Sequence, residues 1–183
     1  MDASSKVVYL TFDDGPIPEC TPEILDILSH YGVKATFFMV AENAERYPEL
    51  VARVRAEGHA IGNHTYHHMR GHQSCTQAYA ADALHGEQVL QTKLFRPPHG
   101  RMRYSQKKAM LDAGYTIYLW DVLTHDYNPC YSVEKMLKIV QQYTRNGSII
   151  VMHDSLKSKD RVLKLLPCAI EWLQEQGYKL ERL

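Results

Sequence analysis

Five glycines set the rhythm of this 183-residue chain. Gly32, Gly58, Gly114, Gly147 and Gly177 each end a stretch with helical spacing and are followed almost at once by a short β-rich run. Glycine suits the residue after a helix because it enters the left-handed region without a Cβ clash. The intervals are 26, 56, 33 and 30 residues, and the long one holds an additional β-run, so it counts as two units. A strand-plus-helix unit of roughly 30 residues is what a β/α barrel repeats.

The β-runs are Val7–Phe12, Ala35–Val40, Ala60–Asn63, Leu94–Arg96, Thr116–Trp120, Ile149–Met152 and Lys179–Leu183. Between them, Thr21-Pro22 offers an N-cap and a first-turn proline ahead of the apolar stripe Ile24, Leu25, Ile27 and Leu28. Ser105 and Ser132 offer caps for two later helices. Seven strands joined by helices predict parallel strands with right-handed crossovers. A full eight-unit barrel takes about 250 residues. The expected fold is therefore an α/β, distorted and incomplete (β/α)7-type barrel of parallel strands with outer helices, an open doubly wound sheet being the alternative. No linker or low-complexity segment divides the chain, so residues 1–183 read as one domain.

Hydrophobic residues make up 45% and charged residues 23%, with a formal net charge of zero and no block of like charges. Nothing in that balance points to nucleic acid or an anionic membrane as partner. The longest apolar runs are strand-sized, too short to insert across a bilayer. The stretch from Met1 to Lys6 has no basic and apolar leader, so no secretory signal is expected; the compartment stays open, extracytoplasmic action included. Cys20, Cys75, Cys130 and Cys168 lie far apart and are expected as free thiols, with Cys20 close in sequence to the acidic pair considered next.

The polar residues fall at strand ends. Asp13 and Asp14 follow the first run, His64 the third, Arg96 ends the fourth, Asp121 follows the fifth and His153-Asp154 the sixth. In parallel barrels and sheets these carboxyl ends share one face, which predicts one common site. Adjacent carboxylates such as Asp13 and Asp14 repel, a cost tolerated where one of them meets a cation or moves a proton. His64 and His68 are four apart and would share a face on a helical turn, with His67 pointing elsewhere. Together with a carboxylate from another strand end they make an Asp-His-His set, suited to catalytic zinc with a position left for water.

Four segments carry a resemblance: Thr11-Phe12-Asp13-Asp14-Gly15-Pro16, Gly62-Asn63-His64-Thr65-Tyr66-His67-His68, Phe95-Arg96-Pro97-Pro98 and Val151-Met152-His153-Asp154. In this order they resemble the motifs of the polysaccharide deacetylases, the NodB-homology domain of carbohydrate esterase family 4. The resemblance implies Asp14, His64 and His68 as metal ligands, Asp13 as catalytic base, Arg96 as its orienting partner and His153 as catalytic acid. The ion it implies is one divalent metal, zinc first, with cobalt or nickel as alternatives. A backbone N–H at His99 would face the oxyanion, where the family commonly has an aromatic residue. Leu123 falls where the family usually places the acid that pairs with the catalytic histidine, leaving Asp121 or Asp126 as substitutes.

The implied activity is metal-dependent removal of acetyl groups, foremost N-acetyl of amino sugars in a polysaccharide or oligomer such as peptidoglycan or chitin. An acetylated carbohydrate is thus the expected partner, with His99, Trp120 and Tyr127 as candidate substrate contacts and Tyr66 as a further aromatic surface. The alternatives are an O-acetyl xylan esterase or other amide hydrolase on the same scaffold, and a carbohydrate-binding domain without turnover. His30, His59, His72 and His85 read as surface or structural residues. Lys157, Lys159 and Arg161 read as a solvated loop and helix start.

Overall fold

The computed structural model describes residues 6–183; residues 1–5, most of the stretch read for a secretory signal, lie outside the described residues. Strands β1 (Lys6–Asp13), β2 (Thr36–Met39), β3 (Ala60–Asn63), β4 (Leu94–Phe95), β5 (Thr116–Ile117), β6 (Val122–Leu123), β7 (Ile149–His153) and β8 (Tyr178–Glu181) form one sheet. Every pairing is parallel. The order is β5-β4-β3-β2-β1-β7-β6, with β8 alongside the first half of β1. Helices α1 (Thr21–His30), α2 (Ala41–Arg46), α3 (Pro48–Ala56), α4 (Thr76–Leu90), α5 (Tyr104–Asp112), α6 (Val133–Tyr143) and α7 (Lys159–Glu175) connect the strands. This is the expected incomplete barrel. No helix among the described residues is long and apolar enough to cross a membrane.

The alternation of β1 explains how the strand serves two environments. Val8, Leu10 and Phe12 join the main core with residues of α1, α6 and α7. Thr11 and Asp13 lie on the opposite face and meet the Arg96 side chain, as a period of two requires. The guanidinium rests 4.0 Å from the centre of the Phe38 ring, on β2. A Cβ at Gly62 of β3 would collide with that same ring, so the narrow barrel interior demands glycine there.

Where the run Thr116–Trp120 was expected as one strand, only Thr116 and Ile117 pair, and Val122–Leu123 forms an eighth strand. β5 and β6 are the two edges of the sheet, and residues 118–121 cross between them. Tyr118 N donates to Phe95 O at 2.8 Å and Asp121 N to Ile149 O at 3.0 Å. The backbone thus leaves one edge and joins the other without a strand to pair with in between. The barrel has a seam rather than a seventh full stave.

Two helix starts also differ from expectation. Thr21 is the first residue of α1, not its cap; its hydroxyl accepts from Ile17 N and donates to Asp154 Oδ2. α5 begins at Tyr104, and Gln106 Oε1 accepts from Arg103 N, while Ser105 bonds Thr76. Ser132 caps α6 as read, accepting from Lys135 N.

Phe38 cannot retreat from a methyl at position 62 without disturbing Arg96. Gly62→Ala is expected to cost about 1–3 kcal/mol by overpacking, read as a lower urea midpoint; an unchanged midpoint would refute this account of the barrel interior.

Candidate active site

Arg96 is fully buried at the end of β4 and spends its donors in four directions. Nη1 donates to Asp13 Oδ1 at 2.7 Å and Thr11 Oγ1 at 2.8 Å. Nε and Nη2 donate to Tyr118 O and Leu119 O, at 3.3 and 3.2 Å, on the seam. Its carbonyl oxygen accepts from His64 Nδ1 at 2.8 Å. The protonated His64 nitrogen is thereby fixed, and Nε2 keeps its lone pair for the cleft. Burial pushes His64 down to about 4, against the pull of Asp13 and Asp14, so the ring is neutral at pH 7.

Asp14 follows Asp13 with a positive φ of 83°, which turns consecutive carboxylates to different tasks. Asp14 Oδ1 lies 3.3 Å from His68 Nε2 and 3.8 Å from His64 Nε2. Burial opposes the Asp14 charge, but the His68 bond and the neighbouring His64 and His153 outweigh it and bring the carboxyl to about 2. One ligand atom from each of Asp14, His64 and His68 lies within 4.8 Å of the others. An ionised carboxylate and a neutral imidazole with its free nitrogen directed inward are donors that fit a divalent cation. Asp13, by contrast, is occupied by Arg96.

His64 and His68 do not share a helical turn. Residues 64–70 form a loop in which Thr65 and His68 have positive φ, and the four-residue spacing is closed by backbone geometry instead. Asp82 on α4, a residue the sequence reading missed, holds that loop. Its Oδ2 accepts from Tyr66 N and His67 N at 2.9 and 3.1 Å, and Oδ1 pairs with His67 Nδ1 at 2.5 Å. The signal was available: Asp82 is a carboxylate within the buried stripe Tyr79, Ala83, Gly86 and Leu90. His67 points away from the cleft, as read.

His153 ends β7, and Asp126 engages it twice. Asp126 Oδ2 accepts from His153 N and Oδ1 pairs with His153 Nδ1, both at 2.7 Å. Burial pulls the imidazole down, but the Asp126 bond and charge lift it to about 9, with help from Asp13 and Asp14. Of the two acids left open by sequence, Asp126 is the partner. Asp121 sits before β6, where it accepts from Ile149 N and approaches Arg145, remote from His153. Asp154, also expected on the shared face, is turned into the core. It receives the Thr21 hydroxyl at 2.5 Å, lies behind Gly15, where a Cβ would strike it, and is pushed up by burial to about 7.

Asp13, Asp14, His64, His68, His99, Trp120, Leu123, Tyr127 and His153 line one cleft of about 450 Å³, joined by Ser155 and Lys157. All three proposed substrate contacts are therefore at the site. The Tyr127 ring stands edge-on to His153 at 5.0 Å. Tyr66 is not there; it stacks on His85 and donates to Glu45. His59 is structural, with Nδ1 accepting from Ala35 N. Arg161 is no solvated helix start, since it donates to Asp126 O and Lys157 O. All four cysteines are free, and burial raises the Cys20 thiol far above its ordinary range, Asp154 adding to the shift.

The polysaccharide deacetylase family profile matches residues 1–118. A peptidoglycan-N-acetylglucosamine deacetylase of Bacillus cereus is 35% identical over 96% of this chain and 85% of its own length. The chain belongs to the polysaccharide deacetylase family. A chitooligosaccharide deacetylase of Bradyrhizobium is 31% identical over 99% of this chain and 90% of its own. The crystal structure of the Bc1960 peptidoglycan N-acetylglucosamine deacetylase superposes with a TM-score of 0.93 at 34% identity, covering 98% of this chain and 87% of that one. The profile ends before Asp126 and His153, whereas these full-length similarities extend across both.

Asp82→Ala strands two loop N–H groups and frees His67. We expect zinc affinity to weaken about tenfold in competition with a chromophoric chelator; unchanged affinity would show that the loop holds its histidines without Asp82.

Proposed function

We propose that this polysaccharide deacetylase hydrolyses N-acetyl groups of an amino-sugar oligomer or polymer, releasing acetate and a free sugar amine. The observation that carries the reading is the division of labour in one cleft. A carboxylate tied to a buried arginine, a three-donor cation set and a carboxylate-backed imidazole surround the same space. The names of the relatives support the substrate class.

Asp14, His64 and His68 would hold a divalent cation, zinc in our reading. Such an ion supplies a water of lowered pKa and polarises the acetyl carbonyl. Asp13 accepts the proton of the attacking water through Oδ2, because Oδ1 is committed to Arg96. The His99 N–H is assigned to the developing oxyanion. His153 is cationic at neutral pH and has Nδ1 occupied by Asp126, so Nε2 delivers the proton that the departing amine requires. Trp120 and Tyr127 offer apolar walls on which sugar rings can pack.

Acetate release from chitin oligomers, peptidoglycan fragments and acetylated xylan, with zinc or cobalt supplied, tests the reading directly. Release from acetylated xylan alone would replace it with an esterase, and release from none with a binding domain. Chelation should abolish turnover, and Asp13→Asn should reduce it by about 10²–10⁴-fold; metal-independent turnover would refute the mechanism.

Asp126 lifts His153, so its loss must lower the pKa. In the wild type the acid form should persist until pH approaches about 9. In Asp126→Asn, the alkaline limb of kcat/KM should shift toward neutral pH, and a limb that stays in place would remove His153 from the role of acid.

A further inference from the structure

A second cleft of about 310 Å³ opens beside the catalytic one, and His99 lines both. Arg70, His72, Gln73, Pro98 and Arg101 contribute the rest of its wall together with Gly71, and no carboxylate lines it. Among the described residues the arginines in ion pairs are Arg46, Arg53, Arg96 and Arg145. Arg70 and Arg101 are not among them, and both are exposed. Two guanidinium groups beside a catalytic cleft, with no carboxylate paired to them among the described residues, leave a place for an anion from outside.

The loops that carry these arginines are tied together. Buried Gln106 donates through Nε2 to Gly71 O and Ser74 O and accepts from Arg103 N, and Arg103 Nη2 donates to His72 O. The loop after β3 and the loop after β4 thus form one supported wall. The annex reaches the reacting centre only through His99, so its occupant belongs to a neighbouring sugar rather than to the acetyl group itself.

We propose that Arg70 and Arg101 form an anion subsite for a carboxylate carried next to the sugar being deacetylated. The preferred substrate is then a carboxylate-bearing glycan, as in a strand with lactyl or peptide carboxylates, over a neutral N-acetylglucosamine oligomer. This inference rests on the deacetylase reading and adds the substrate class.

The test compares zinc-loaded protein on three N-acetylated tetrasaccharides: tetra-N-acetylchitotetraose, an alternating N-acetylglucosamine–N-acetylmuramic acid oligomer with free lactyl carboxylates, and the same oligomer bearing stem peptides. KM should be about tenfold lower for a carboxylated oligomer than for tetra-N-acetylchitotetraose at low salt, with the difference shrinking as salt rises. The oligomer that shows the gain identifies the carboxylate as lactyl or peptide. The double variant R70Q/R101Q should lose the preference, and R70K/R101K should recover part of it. Equal KM values, or a preference that survives R70Q/R101Q, would overturn the subsite. Absence of acetate from all three would count against the deacetylase reading instead, and calorimetric binding of the same oligomers would still decide the subsite by the presence or absence of the carboxylate preference.

Discussion

The structure turns on one buried cation. A guanidinium without water around it must have its charge and its donors answered by the protein, and removing one member of such a pair costs about 3–5 kcal/mol. Arg96 finds its answers on segments far apart in the sequence: the first strand through Thr11 and Asp13, and the seam through Tyr118 O and Leu119 O. The rigid, planar fork reaches both at once, a geometry that a lysine ammonium cannot reproduce. Arg96 therefore closes the barrel and orients the proposed base with the same atoms, and its own carbonyl sets the tautomer of His64. Fold and site share an interaction at this point.

Around that centre the remaining groups are placed by carboxylates that use both oxygens. Asp82 fixes the loop bearing His64 and His68 from α4, and Asp126 fixes His153 from the loop after β6. Each takes a backbone N–H with one oxygen and a histidine Nδ1 with the other. A side chain held only by its own torsions could swing; one tied through its backbone and its carboxylate partner together cannot do so without breaking two bonds. The loops thus acquire the positional accuracy of the strands that they follow.

The apolar strands and the glycine punctuation were legible, because β1 alternates along its length and β3 and β7 are short apolar runs that each follow a helix-ending glycine. The seam was not. Residues 118–120 have strand-like composition but lie along no strand ladder, and two-residue strands carry too little pattern to separate from their flanks. Thr21 looked like a cap because capping is read locally, whereas its hydroxyl is claimed by Asp154, far along the chain. The spacing of His64 and His68 suited a helix, yet a loop with two positive-φ residues delivers the same convergence. Asp13, Asp14, His64, Arg96 and His153 were legible as neighbours from strand ends because topology gathers those ends on one face, whereas the separate roles given to them come from the resemblance.

The choice between Asp121 and Asp126 needed the position of β6, which places one acid before the strand and the other beyond its end. That arrangement bears on how sequences of this kind are compared. The resemblance places Leu123 at the position of the pairing acid, and in the structure Asp126 meets the imidazole from further along the loop. What the chemistry selects is a carboxylate at a point in space, and the loop is free to supply it from more than one register. An unexpected letter at one position is then poor evidence that the ring lacks its acid, and the question is better put as whether any nearby carboxylate can reach it.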